Sequence, residues 1–285
     1  MSTNSSPLTI LGFLLLSAPV LAGDVYSFTI ERSGDTEELH AGKFVLDPGR
    51  ARGTVLLDER KYRLELTPDP ESVQPLDAVI SNDGGTRETA LSLKDHTYFE
   101  VKTPGVTSPL LLLLPIGGDR SVGGVVVTTS TQPEAVAGSP AQRHEIKLSY
   151  DITLVIQPPA NGPSGFKGKA ETVHGKVSID AVYWMAEGKA PVLPKLLRPD
   201  LHTGFPEVDA RLDGALAALH GIPVKQRVTI TTTGDQGTEA RTSARTVTLE
   251  SHQKREAKAP LFEVPAGFKM HEPEVSGPGM RIVPD

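Results

Sequence analysis

No cysteine occurs anywhere in the 285 residues. That excludes disulfides, thiolate metal sites, cysteine nucleophiles and anchoring through a lipidated N-terminal cysteine. Positive charge is not in excess either: 29 Lys and Arg stand against 35 Asp and Glu, giving a net charge of −6, and no basic run occurs. The electrostatic footprint of nucleic-acid binding is therefore missing. Apolar runs are short. Leu8 to Leu16 is interrupted by Thr9 and Gly12, and Pro109 to Ile116 is fenced by prolines. Neither reaches the roughly 20 residues that cross a bilayer as a helix, so no transmembrane segment is expected in the mature chain.

Recognisable chemistry is scarce as well. The eight histidines form no metal-ligand spacing, and there is no Gly-x-Ser-x-Gly elbow or paired Ser/Lys motif. Gly165-Phe166-Lys167-Gly168-Lys169-Ala170 is a poor phosphate loop, because Ala170 stands where a Ser or Thr would bind magnesium. Nothing combines a nucleophile, a base and an orienting group. The expectation is a protein that is not an enzyme and holds no cofactor and no metal, an enzyme being the third reading.

Two ends of the chain stand apart from its body. Residues 1–22 carry no charged side chain and close on Val20-Leu21-Ala22, the small and apolar pattern of a signal-peptidase site. Cleavage is expected after Ala22, placing the product in the periplasm or outside the cell, although the segment before the apolar run has no Lys or Arg. Residues 272–285 are rich in Pro and Gly without periodicity and read as a flexible tail. One domain is expected over residues 23–271.

Within that body, period-two alternation recurs. Tyr26, Phe28 and Ile30 alternate with Ser27 and Thr29. A hairpin is expected from Thr54 to Leu66 around Asp58-Glu59-Arg60-Lys61, and a tight one at Asn82-Asp83-Gly84-Gly85. Lys147–Ile156, Val177–Tyr183, Gln226–Thr233 and Thr246–Ser251 continue the pattern. Between Pro206 and His220 the period changes: Val208, Leu212, Ala215, Leu216 and Leu219 fall on one helical face, with Gly221 expected at the left-handed position that ends the helix. About ten strands with no βαβ spacing give a mainly β fold, a large antiparallel curved sheet or unclosed half-barrel packed on one amphipathic α-helix.

The candidate ligand contacts follow from that shape. Leu111 and Leu113 belong to a run of five leucines with no polar face, which reads either as a buried crossover or short helix in the core or as a lid over an apolar cavity. Tyr150, Ile152, Leu154 and Tyr183 project from alternating strands, and Leu212 and Leu216 from the helix. The first reading is a protein that binds an apolar ligand, a lipid or acyl chain, between sheet and helix. The alternative is an envelope interaction or scaffold module with a filled core, contacting a partner protein through the loops Gln157–Gly168 and Gln132–Pro140.

Three stretches carry a resemblance. Ser81-Asn82-Asp83-Gly84-Gly85 with Asp95-His96-Thr97-Tyr98-Phe99-Glu100, then Val136-Ala137-Gly138-Ser139-Pro140 leading into Glu145–Tyr150 with Trp184, and finally Pro260–Lys269, together resemble an uncharacterised exported bacterial domain family near the fold of the periplasmic lipoprotein carrier LolA and its relatives. The resemblance implies an unclosed antiparallel half-barrel wrapped over a helix, and an acyl chain or other apolar group in its concave face. It implies no residue roles. Phe262 and Phe268 read as core anchors of the closing segment.

Overall fold

The alternating segments assemble into a single twelve-stranded sheet in the computed structural model, which describes residues 22–34, 49–68, 78–100, 120–136, 139–156, 171–189, 191–194, 197–199, 201, 203, 205–234 and 240–271. The strands are β1 (Ala22–Gly34), β2 (Gly49–Asp58), β3 (Lys61–Pro68), β4 (Ala78–Ser81), β5 (Thr89–Ser92), β6 (Thr97–Glu100), β7 (Arg120–Val136), β8 (Ser139–Ile156), β9 (Glu171–Ala186), β10 (Ile222–Gly234), β11 (Arg241–Glu256) and β12 (Lys269–Met270). Their spatial order is β12-β6-β5-β4-β3-β2-β1-β11-β10-β9-β8-β7. The chain therefore runs outward from β1 to β6, restarts at the far edge with β7, and returns strand by strand until β11 pairs with β1. This is the order of an up-and-down barrel left open between β6 and β7, and the sheet is not closed. All pairings are antiparallel except that of the two-residue β12 with β6, which makes the expected large antiparallel sheet mixed at that one edge.

Cross-strand register sets the two faces. On the inner face one row runs Tyr183–Gln226–Val247–Ile30–Ala51 across five strands. Another pairs Phe28 with Gly53, where an added Cβ would lie 2.4 Å from the Phe28 ring, so the missing side chain of Gly53 is what admits that ring. The inner face is covered in two places. Helix α1 (Pro206–Leu216), preceded by Leu201 and Phe205, lies over β7–β10. A strap containing Leu193 and Leu197 lies over β1–β4 and β11.

The outer face has its own, smaller cover. The segment from the 3₁₀ turn Ala259–Phe262 to β12 lays Val264 and Phe268 against Ala78, Ile80 and Leu91, and Arg63 donates to the Leu261 carbonyl at 3.2 Å. Phe262 is buried and Phe268 half-buried, so both pack as anchors. Further along, Trp184 lies between Arg143 and Lys225, at 5.9 and 5.0 Å from its ring centroid.

Several expectations are corrected in detail. The helix ends at Leu216, not His220; Ala217 caps it in right-handed conformation, and the chain leaves through Ala218–Ala215 and Leu219–Leu216 turns. Gly221 does take a positive φ of 107°, but as the entry to β10, where an added Cβ would strike the Ala186 carbonyl at 2.2 Å. The hairpin at Asp58–Lys61 forms with Asp58 and Lys61 paired. The one at Asn82–Gly85 is wide, Ile80 pairing with Thr89, because Ser81 and Asp83 accept hydrogen bonds from Gly85 and Arg87 backbone N–H groups and hold the connection open. Finally, Gln132–Val136 is not a loop but the end of β7, and Ser139 and Pro140 open β8.

Candidate functional site

Five of the predicted contacts converge. Tyr150, Ile152 and Tyr183 on the sheet and Leu212 on α1 are buried in one cluster, with Leu216 packed against it half-buried. Tyr150 meets the Phe205 ring edge-on at 6.0 Å. These side chains fill the space between sheet and helix with one another. Leu154 pairs with Val173 and Arg120 in the backbone ladder. Leu111 and Leu113 lie outside the described residues, as do residues 1–21, 157–168 and 272–285.

The helix is placed by its own N-terminus. Pro206 occupies the first turn, and Phe205 has no capping side chain. Asp209 supplies the anchor instead, its Oδ1 accepting from the Thr203 backbone N–H at 2.7 Å and from the Thr203 hydroxyl at 2.8 Å, while the Phe205 N–H donates to the Thr203 hydroxyl oxygen. Arg211 donates to the Val125 carbonyl of β7 at 3.3 Å.

Open space lies beside this cluster, under the strap. A small pocket is lined by Tyr26 and Phe28 of β1, Val247 and Leu249 of β11, Ile222, Pro223 and Gln226 of β10, and Pro191, Leu193 and Leu197. Its free volume is about 20 Å³, room for a water-sized group. The strap above it is braced by one internal hydrogen bond and tied to the sheet side at Leu197 and Arg198. Arg198 donates from Nε to the Leu193 carbonyl at 2.5 Å and from Nη2 to the Gly84 carbonyl at 3.3 Å, and Gln226 Nε2 donates to the Leu197 carbonyl. Close by, the Tyr62 hydroxyl donates to buried Glu88. Burial first, and then the Glu88 charge, push the Tyr62 phenol far above its usual range, so it stays protonated and remains a donor.

Sequence reasoning missed this pocket. The strap has no periodicity, so its leucines gave no sign of which surface they cover. One signal was present: Gln226 precedes Val228 and Ile230 in the same period-two phase, a polar residue at an apolar position. Tyr26, which lines the pocket, stacks on His252 at 4.5 Å, and His252 and Lys254 both contact Asp24, at 2.5 and 2.7 Å.

Among the described residues no three His, Asp or Glu side chains converge to hold a metal ion, and no helix is long and apolar enough to cross a membrane. Comparison with protein-family models gives no match, and comparison with the curated proteins gives none either.

Proposed function

We propose that this is an exported, non-enzymatic protein that binds an apolar ligand, a lipid or acyl chain, on the inner face of its unclosed sheet. The observation that carries the reading is the apolar pocket between that face and the strap. The space under α1 is occupied by side chains, so ligand entry is assigned to the strap side, where Leu193 and Leu197 cover β1 and β11 without a second layer of sheet. Lifting these two side chains would open a channel lined by Tyr26, Phe28 and Val247. Binding would be driven by burial, at about 0.8 kcal/mol per CH₂ removed from water. The resemblance to the lipoprotein-carrier fold supports the same reading, and the uncharged leader ending at Ala22 supports export.

The experiment is mass spectrometry of lipids extracted from protein purified from its native envelope, with N-terminal sequencing of the same material. A stoichiometric lipid and an N-terminus at Gly23 are expected. Protein that carries no extractable lipid and exchanges none with vesicles would favour the second reading, a scaffold module with a filled core. The observation behind that second reading is the close mutual packing of Tyr150, Tyr183 and Leu212.

A further inference from the structure

The two ends of the open sheet are finished differently. At one end the short β6 is capped by β12, where the Lys269 and His271 N–H groups donate to the His96 and Tyr98 carbonyls at 3.0 and 2.9 Å. At the other end lies β7, 17 residues long, with no strand beyond it among the described residues. Its residues 121–133 carry no charge, and Val126 is 54% exposed. A long edge of this kind presents unpaired backbone groups as a template for another strand, and charge along the edge is one of the devices that prevents it. Which groups face outward follows from Pro133. It has no N–H, yet Gln132 and Glu134 on either side stay in register with Arg143 and Ala141, so its nitrogen faces away from β8. Alternation then turns the N–H and C=O of Thr131, Thr129 and Val127 outward as well.

We propose that this edge of β7 is an interface for a second copy of the same chain, paired antiparallel about a two-fold axis at Thr129. In that register Thr129 faces the partner's Thr129, and Val127 faces the partner's Thr131. Each such pair exchanges both of its backbone hydrogen bonds. The same register sets Pro133 opposite the partner's Val125, and within each copy the Val125 carbonyl already accepts from Arg211 at 3.3 Å. The one donor that the edge lacks is therefore asked for by no acceptor. On the outer face Thr128 meets the partner's Ser130, a hydroxyl pair that bonds across strands. No like charges meet, because the segment has none. An edge that complements itself in this way fits its own copy better than an arbitrary strand, and two-fold pairing closes the assembly as a dimer. The interface is independent of the apolar-ligand reading.

The test is sedimentation velocity on the full chain over a range of concentrations, with a reversible dimer expected. In Thr129→Pro each copy loses its central outward N–H, and both bonds of the axial pair go with it. Pro133 shows that the strand accepts proline at such a position, so the circular dichroism should be kept while the dimer dissociation constant rises about tenfold or more. The absence of native cysteine permits a second readout. Thr129→Cys places two thiols beside the axis, and bismaleimidoethane should join them into a covalent dimer. Ser251→Cys, exposed on the central strand β11, should stay monomeric under the same reagent. A native chain that sediments as a monomer at every concentration overturns the proposal, the edge then being satisfied by water or by another segment of the chain. A dimer unaffected by Thr129→Pro, or equal linking of Thr129→Cys and Ser251→Cys, overturns it too, since the contact then lies elsewhere. If Thr129→Pro does not fold, the comparison of the two cysteine variants decides.

Discussion

Tyr62 and Glu88 meet in a site from which both are almost fully withdrawn from water, and one hydroxyl proton joins them. Removing that hydroxyl in Tyr62→Phe keeps the ring and its packing but leaves the carboxylate with one donor fewer. The expected loss is about 1–3 kcal/mol, read as a lower midpoint in urea unfolding; an unchanged midpoint would show that the Glu88 carboxylate is satisfied without Tyr62. Asp24 poses a titration question instead. The hydrogen bond from Lys254, then that from His252, hold its carboxyl below the usual range. A carboxylate with a lowered folded pKa adds stability that is present above its unfolded pKa and disappears as pH falls through the folded one. The native chain should therefore exceed Asp24→Asn in stability at pH 7, and the gap should close below the ordinary carboxylate range. The group is partly exposed, so the gap at pH 7 should be small and reduced by salt. A gap that is constant from pH 7 to pH 2.5 would contradict it.

At the scale of elements, legibility tracks how regularly a segment alternates. In β1, Tyr26, Phe28 and Ile30 announce a strand because all three face the same core. In β7 the bulge between Gly123 and Val126 shifts the phase, so Val122, Val125 and Val127 do not read as one face, and Pro133 suggests a loop. Pro133 is tolerated because β7 is an edge, where a backbone N–H need not enter a ladder. The helix was legible from Val208 and Leu212, while its end was not: Gly221 is a stop signal in the sequence, yet it is used one element later, to enter β10. The candidate site was half legible for the same reason. Periodic residues such as Tyr150 and Tyr183 were visible, whereas Leu193 and Leu197 sit in a segment with no period. What positions α1 is Asp209 rather than a conventional cap, and Asp209→Ala should cost about 1–2 kcal/mol. Thr203 should gain hydrogen-exchange exposure at its backbone N–H in the same variant. Full protection of that amide in Asp209→Ala would show that another group holds the helix start.

The two halves of the sheet meet at one ladder, and the strap lies across it. Among the described residues β1 is the only strand paired with both β2 and β11, so the sheet's two halves meet in β1–β11 pairing between residues more than 200 apart in sequence. Loop closure of that length places the fold among slow, high-contact-order topologies. It also makes the sheet one cooperative unit, because the strap packs across that seam on β1–β4 and β11 and accepts a hydrogen bond from Gln226 of β10. The single tryptophan allows a direct test. Trp184 is buried on β9, in the half that carries α1, while Phe262 is buried against the opposite half. Phe262→Ala removes an aromatic core group worth about 3–5 kcal/mol. If the sheet unfolds as one body, the Trp184 fluorescence midpoint in urea shifts downward by the full amount and coincides with the far-ultraviolet circular dichroism transition. If the halves unfold independently, the Trp184 midpoint stays where it is in the native chain and the dichroism splits into two steps. The shared β1–β11 ladder requires the first outcome.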